Sequence, residues 1–597
     1  MKKVKKIKDL ELMADKLRVE SIISTTAAGS GHPTTCMSCA EILSSLFFHE
    51  LEEKDEFILS KGHAAPILWA AYAEAGLIPT KELLNLRKIT SNLEGHPTPL
   101  MPMVKIATGS LGQGLSAGVG MALAKRMKGD GTGGRVYVLL GDGESAEGAV
   151  WEAANAASFY RLDNLVTIVD VNRLGQSQQT MHGHKTQAYR KKFEAFGWNS
   201  IVVNGHSILE LLDALKRAKR SKKPYAIIAR TFKGKGFSLT ENKNGWHGKP
   251  FSKEQMALAM KEIGTPDITL RSRVKYRKIT HKTLTFTPNS YNPGEMVATR
   301  NAFGNALLKA GRKNRHILSI DGDVKNSTMT QDFFRAFPER SFESFIAEQN
   351  MVGMAAGMSS EGFIPFVATF GTFLTRAHDF IRMARYSEAN IKFVGSHVGV
   401  SIGEDGPSQM GLEDMPMFIS MPGSLILYPC DAVSTEHCVK EMLKHKGISY
   451  LRTTREKTPV IYNNKERFPA GKFKVLRKSK KDKVLVIAAG ETVHEALKAQ
   501  DLLKKRKKGR RNIRIIDLYS VKPLDRAGLA RHARECNGNV IVVEDHYEGG
   551  IGGLVAKAVG KIRHLYIKDI PRSGKPEQLR RKYGIDAAAI VREVMKI

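Results

Sequence analysis

"RVYVLLGDGESAEG", Arg135 to Gly148, and "LVTIVDVNRLGQS", Leu165 to Ser177, each hold an apolar, β-branched run that stops at a small polar side chain. Asp142 ends the first run and Asn172 ends the second. Runs of this kind read as buried parallel strands, and ligands of open parallel sheets bind beyond the carboxyl ends of strands. The two side chains are therefore expected on one ligand-binding edge. A carboxylate, an amide oxygen and a backbone carbonyl from the "NRLG" turn suit a hard octahedral cation such as Mg²⁺, which leaves positions for phosphate oxygens and water. Gly141 and Gly143 let backbone approach an anion, and a helix opening at Ser145 offers its N-terminal dipole. A G-D-G by itself is a common turn; paired with Asn172 it predicts a metal-held diphosphate.

The chain around these runs has 597 residues, too many for one core, so about three domains are expected. A hydrophobic content of 42% suits a packed protein, and no apolar run reaches the roughly 20 residues of a membrane span. "MKKVKKIKDLELM" lacks the apolar segment of a secretory signal, which makes the cytoplasm the expected compartment. Five cysteines indicate reducing surroundings, and Cys36 and Cys39 read as buried thiols on an apolar helix face. The net charge of +33 is unusual. Its densest runs, Leu270–Lys282 and Lys504–Arg514, read as solvated surface, so nucleic acid is not an expected partner; a basic surface also attracts phosphorylated metabolites.

Three regions alternate strand-like and helix-like text, as parallel α/β layers do. They span residues 1–264, 294–460 and 472–597, with an irregular, basic linker at 265–293. Predicted strands include "NSIVVNG" and "PYAIIART" in the first, "HILSIDGDV", "IPFVATF" and "IKFVGSH" in the second, and "KVLVIAAG" and "NVIVVEDH" in the third.

His32, His63, His96, His247 and His397 each sit in a Gly- or Ser-flanked turn. Together they suggest a polar pocket that binds hydroxyls and moves protons. None has the close spacing of a zinc pair. Glu348, in "FIAEQNMVGMAAG", ends an apolar segment and reads either as a helix cap or as a carboxyl group that hands over a proton.

Further motifs make the resemblance specific. "TTAAGSGHPTTC", "FILSKGHAAPILWA", "LEGHP", "ATGSLGQGLS", "RTFKGKG", "WHGKP", "ATRNAFG", "DGDVKNST", "GSHVGVSIGEDGPSQM", "VEDHYEGGIG" and "PRSGKP" follow one another from about residue 15 to about residue 585. With "GDG" and "DVN" they resemble the transketolase family, and Gln409 resembles its animal-type branch. The resemblance implies two α/β domains of the thiamine-diphosphate-binding fold with mainly parallel sheets, one for the diphosphate and one for the pyrimidine, plus a C-terminal α/β domain. It also implies a homodimer with active sites at the subunit interface.

The implied cofactors are thiamine diphosphate and Mg²⁺, with Ca²⁺ or Mn²⁺ as substitutes. Metal ligands would be Asp142, Asn172 and the backbone of Leu174. Cofactor contacts would be Thr35, His63, Gly109, Leu111, Gly143, Asn172, Lys233, His247, Phe373 and Gln409. Glu348 would activate the cofactor, with His32, His247 and His397 catalytic beside it. Sugar phosphate would meet His32, His96, His247, Arg300, Ser327, His397, Asp405 and Arg455. The implied reaction moves a two-carbon ketol unit from xylulose 5-phosphate to ribose 5-phosphate or erythrose 4-phosphate. Two alternatives stand beside it: an enzyme like 1-deoxyxylulose-5-phosphate synthase, and a catalytically silent basic binding paralogue.

Overall fold

The computed structural model describes residues 2–128, 133–276, 285–506 and 511–597. Parts of both basic runs and of the 265–293 linker lie outside the described residues. The chain divides into two compact units: Met1–Thr280 with Val352–Glu361 and Tyr386–Glu388, and His281–Met351 with Gly362–Arg385 and Ala389–Ile597.

The first unit is built on β1 (Glu56–Leu59), β2 (Val136–Gly141), β3 (Leu165–Val171), β4 (Asn199–Asn204) and β5 (Tyr225–Arg230). They form an all-parallel sheet in the order β1-β2-β3-β5-β4. β2 and β3 are buried at every position, which accounts for their continuous apolar text. β1 was not expected, because at four residues it is too short to show a pattern.

The second unit holds two sheets and a small ribbon in which β6 (Met296–Ala298) pairs antiparallel with β13 (Lys457–Pro459). The larger sheet contains β7 (Ile317–Asp321), β8 (Ser341–Glu343), β9 (Ile364–Phe370), β10 (Lys392–Ser396), β11 (Leu425–Leu427) and β12 (Ser449–Arg452). Its order is β17-β11-β12-β10-β9-β7-β8, and β17 (Ser520–Lys522) is the one antiparallel member. The other sheet runs β14 (Lys474–Arg477), β16 (Ile513–Asp517), β15 (Val484–Ala488), β18 (Val540–Val543) and β19 (Arg563–Leu565), with only β14 antiparallel. The C-terminal region thus lends β17 to the neighbouring sheet, and one continuous apolar core runs through both.

Two local expectations need correction. Ser145 does not open the α-helix after β2: Glu144–Ala146 form a 3₁₀ turn, and the helix begins at Gly148. The cause is Glu144, whose buried carboxylate turns back to accept the Gly141 and Gly112 N–H groups at 2.9 and 2.8 Å. Cys36 and Cys39 are buried as expected, but the helix breaks at Cys39 (φ −110°, ψ 17°), so they do not share one helix face.

Candidate functional site

Four adjacent strands of the first unit deliver polar residues to one edge. Register aligns Leu59 with Leu139, Gly141 with Asp170, and Val171 with Arg230. The residues just beyond are Lys61 and His63 after β1, Asp142 and Glu144 after β2, Asn172 and Leu174 after β3, and Thr231 and Lys233 after β5. Most of these side chains line a cavity of about 440 Å³.

Asp142 is buried, and its carboxylate accepts the Gly143 N–H (2.8 Å), the Arg173 N–H (2.7 Å) and the Thr180 hydroxyl (3.0 Å). Burial, and then the charge of Asp170, push its pKa up to about 6. Asp170 is engaged differently: it pairs with Lys61, accepts the Ser38 hydroxyl (2.7 Å) and the Thr231 hydroxyl, and takes the Asn172 amide N–H at 3.0 Å. That last bond fixes Oδ1 as the accepting atom of Asn172, where it takes the Leu174 N–H at 3.2 Å. Among the described residues no three His, Cys, Asp or Glu side chains cluster as metal ligands. The set here is instead one carboxylate, one amide oxygen and one backbone carbonyl, and this oxygen chemistry fits a hard cation that also holds phosphate.

Lys233 reaches into the same edge, donating to the Leu174 carbonyl at 2.9 Å and to His247 Nδ1 at 2.7 Å. Burial, and then the nearby Lys61, lower its pKa to about 8. His32 lies 5.0, 5.3 and 6.4 Å, ring to ring, from His247, His63 and His96. Thr35 Oγ1 stands 3.2 Å from His63 Nε2. Burial, followed by neighbouring cations, pushes His32 down to about 4 and His247 to about 3, and lowers His63 and His96 as well. Neutral imidazoles each offer one donor and one acceptor. His32 Nδ1 is buried with no hydrogen-bond partner in the protein, which leaves it available to a bound group. Gly109 adopts φ +124°, and a Cβ there would lie 2.8 Å from the His96 ring, so glycine lets the two come together. Leu111 is partly exposed at the cavity.

His397 belongs to the second unit. It follows β10 at φ +56°, stacks on Phe370 (3.9 Å, 14°), and holds Ser396 Oγ against Nδ1 at 2.9 Å. Phe373 also stacks on Phe370, at 5.0 Å and 5°. Arg300 Nη1 donates to the Ser327 carbonyl (2.9 Å) and lies 3.3 Å from His397 Nε2. Burial, then Arg300 and Arg455, lower His397 to about 3. Arg300 Nε is buried without a partner. Arg455 pairs with Asp405 at 2.9 Å, and both are about half exposed. Gln409 ends a 3₁₀ turn on the same loop, with its amide 3.4 Å from the Ser408 hydroxyl. Glu348 begins the helix Glu348–Ser360, is buried, and has Arg376 at 3.8 Å.

The structure therefore groups the expected residues into two clusters. His32, Thr35, His63, His96, Gly109, Leu111, Asp142, Gly143, Asn172, Leu174, Lys233 and His247 line one cavity. Arg300, Ser327, Phe373, His397, Asp405, Gln409 and Arg455 lie in the other unit with Glu348. Sequence reading missed Lys61, Asp170, Glu144 and Phe370 as supports. The signal for Asp170 was present: a charge inside "TIVDV", flanked by apolar residues, has to find a buried partner.

Comparison with known proteins follows the same division. A family model described as "Transketolase, thiamine diphosphate binding domain" matches residues 10–282. One described as "Transketolase, pyrimidine binding domain" matches 295–460, and "Transketolase, C-terminal domain" matches 471–590. Transketolase of Homo sapiens is 49% identical over 99% of this chain and 97% of that protein. Transketolase-like protein 2 of Mus musculus is 48% identical over 98% of this chain and 96% of its own length. The crystal structure of transketolase from Campylobacter jejuni superposes with a TM-score of 0.86 at 25% identity, covering 99% of this chain and all of that one.

Proposed function

This chain belongs to the transketolase family, with its animal members among the relatives, and is a thiamine diphosphate-dependent enzyme; from that premise we propose how its residues perform the transfer. The reaction moves a two-carbon ketol unit from a ketose phosphate such as xylulose 5-phosphate to an aldose phosphate such as ribose 5-phosphate or erythrose 4-phosphate, in the non-oxidative pentose phosphate pathway. Thiamine diphosphate, when bound, supplies the carbon nucleophile and the electron sink for breaking the bond beside the ketose carbonyl.

The single observation that carries the reading is the edge shared by Asp142, Asn172, Leu174 and Lys233, an oxygen set for a cation with an ammonium beside it. Asp142, Asn172 and the Leu174 carbonyl would hold Mg²⁺, for which Ca²⁺ or Mn²⁺ could substitute. Thr35, His63, Gly109, Leu111, Gly143, Lys233 and His247 would surround the cofactor, with Phe373 and Gln409 contributing from the other cluster. Glu348 would hold and return a proton at the cofactor's pyrimidine ring. His32, His247 and His397, neutral near pH 7, can take a proton from a substrate hydroxyl or steady a developing alkoxide. His96 and Asp405 would bind sugar hydroxyls. Arg300, Arg455 and Ser327 would receive the phosphate; the partnerless Arg300 Nε supports an anion there.

The proposal includes a homodimer with active sites formed between subunits, a cytosolic location, and domain limits near 264, 294, 460 and 472. The exposed apolar pair Phe345 and Ile346, three and two residues before Glu348, suits a subunit contact. No helix among the described residues is long and apolar enough to cross a membrane.

Offering pyruvate with glyceraldehyde 3-phosphate separates this reading from the 1-deoxyxylulose-5-phosphate synthase-like one. No carbon dioxide release is expected, and its release would favour that alternative. Failure to bind thiamine diphosphate at all would favour the silent basic paralogue.

A further inference from the structure

Two motifs remain without a part in the site: "VEDHYEGGIG" after β18, and "PRSGKP" before the helix Pro576–Tyr583. Both press against the loop that carries His397, Asp405 and Gln409. The loop leaves β10 and closes on itself, with the Gly399 N–H donating to the Gly411 carbonyl at 2.9 Å. At its start, the Val400 N–H donates to Asp545 Oδ1 at 2.8 Å. At its end, Arg452 Nη2 donates to the Gly411 carbonyl at 2.6 Å, and both Nη atoms donate to the Asp545 carbonyl at 3.1 Å. Asp545 and Arg452 are fully buried, and Arg452 is neutralised by Asp414 at 2.8 Å.

Close packing supports the same link. Gly399 has φ +73°, and a Cβ there would lie 2.0 Å from Asp545 Oδ2, so the loop passes where only glycine fits. Farther along, a Cβ on Gly403 would meet the Gly574 carbonyl at 3.2 Å, and one on Gly406 would meet Ser573 Oγ at 2.7 Å. The C-terminal region thus braces the loop at its first residues and again around Asp405.

We propose that Asp545 is a positioning residue for sugar-phosphate binding: by holding the Val400 N–H it fixes the loop on which His397 and Asp405 meet the substrate. The proposal rests on the assignment of His397 and Asp405 to the sugar. A buried backbone N–H that loses its acceptor leaves the loop free to adopt other conformations. Of the proposed cofactor contacts only Gln409 lies on this loop; those of the first unit would be untouched.

The test compares D545A, D545N and V400P with H397A in the full-length holoenzyme. In D545A the KM for xylulose 5-phosphate is expected to rise about tenfold, while the thiamine diphosphate Kd from a fluorescence titration, which draws on this loop only through Gln409, rises by less than about threefold. D545N keeps an acceptor oxygen and is expected to restore most of the KM. V400P removes the donor instead, at the first residue of a 3₁₀ turn where proline is tolerated, so it tests the bond even if D545A fails to fold. It should reproduce the KM rise, and combining it with D545N should add nothing further, as expected for two ends of one interaction. An unchanged KM in V400P overturns the proposal, as does a cofactor Kd that rises in step with KM. If H397A itself leaves KM and kcat unchanged, it is the sugar-binding assignment that fails.

Discussion

At the scale of single residues, the site depends on which polar atoms are committed within the protein and which are left over. Asn172 gives its N–H to Asp170 and Asp142 takes only neutral donors, whereas His32 Nδ1 and Arg300 Nε have no protein partner. The task proposed for Glu348 is the narrowest, so its substitution gives the sharpest test. E348Q removes an exchangeable proton but preserves size, and is expected to leave the thiamine diphosphate Kd within a fewfold while lowering kcat by about 10²–10⁴, the usual range for a lost acid–base group. Single-turnover kinetics beside a cofactor titration would show whether the two effects separate. Parallel losses of both would place Glu348 in binding instead. R455A should raise KM for phosphorylated ketoses by roughly ten- to a hundredfold and leave that for an unphosphorylated ketose such as erythrulose unchanged, since one charged contact is worth about 1.5–3 kcal/mol.

At the scale of elements, the edge of the first sheet depends on the Lys61–Asp170 pair, fully buried beneath Asn172. K61M strands the Asp170 charge and is expected to cost about 3–5 kcal/mol, read as a fall in denaturation midpoint. The double variant K61M/D170L should be more stable than K61M alone, yet bind cofactor poorly, because Asn172 loses its orienting acceptor. Equal stability of the single and double variants would mean that the pair is not what holds this edge. The same strands show what sequence could reveal. β2 and β3 were legible because both faces are buried, which writes an unbroken apolar run, and their terminal Asp142 and Asn172 were legible because parallel register is fixed. β1 and β17 were not legible, since at four and three residues they owe their form to neighbours rather than to pattern. The 3₁₀ turn after β2 was hidden for a related reason: it is set by Ser60 and Gly112, both distant in sequence, which bond to Glu144. For the substrate residues, local text was ambiguous, and the family resemblance supplied the assignment.

At the scale of the whole molecule, several buried imidazoles share one electrostatic condition. His32, His247 and His397 have folded pKa values near 4, 3 and 3, against an ordinary value near 6.5. Below pH 6.5 the unfolded chain binds protons that the folded chain refuses. The stability these groups contribute is therefore complete above about pH 6.5 and is lost as pH falls towards 4. The thermal midpoint is expected to drop between pH 6.5 and 4.5, and an H32N/H247N variant should show a shallower drop. A variant slope as steep as the parent's would contradict neutral burial of these rings. The charge of +33 belongs to the same scale: if it steers phosphorylated sugars to the surface, kcat/KM for them falls as salt rises from about 50 to 300 mM, while that for erythrulose does not.

The most direct measurement combines purified protein with xylulose 5-phosphate and ribose 5-phosphate, with and without thiamine diphosphate and Mg²⁺, and follows sedoheptulose 7-phosphate. Product is expected only when both cofactor and metal are supplied, and not from a D142A variant. Product that forms without thiamine diphosphate in protein stripped of it, or no product despite saturable cofactor binding, would contradict the account.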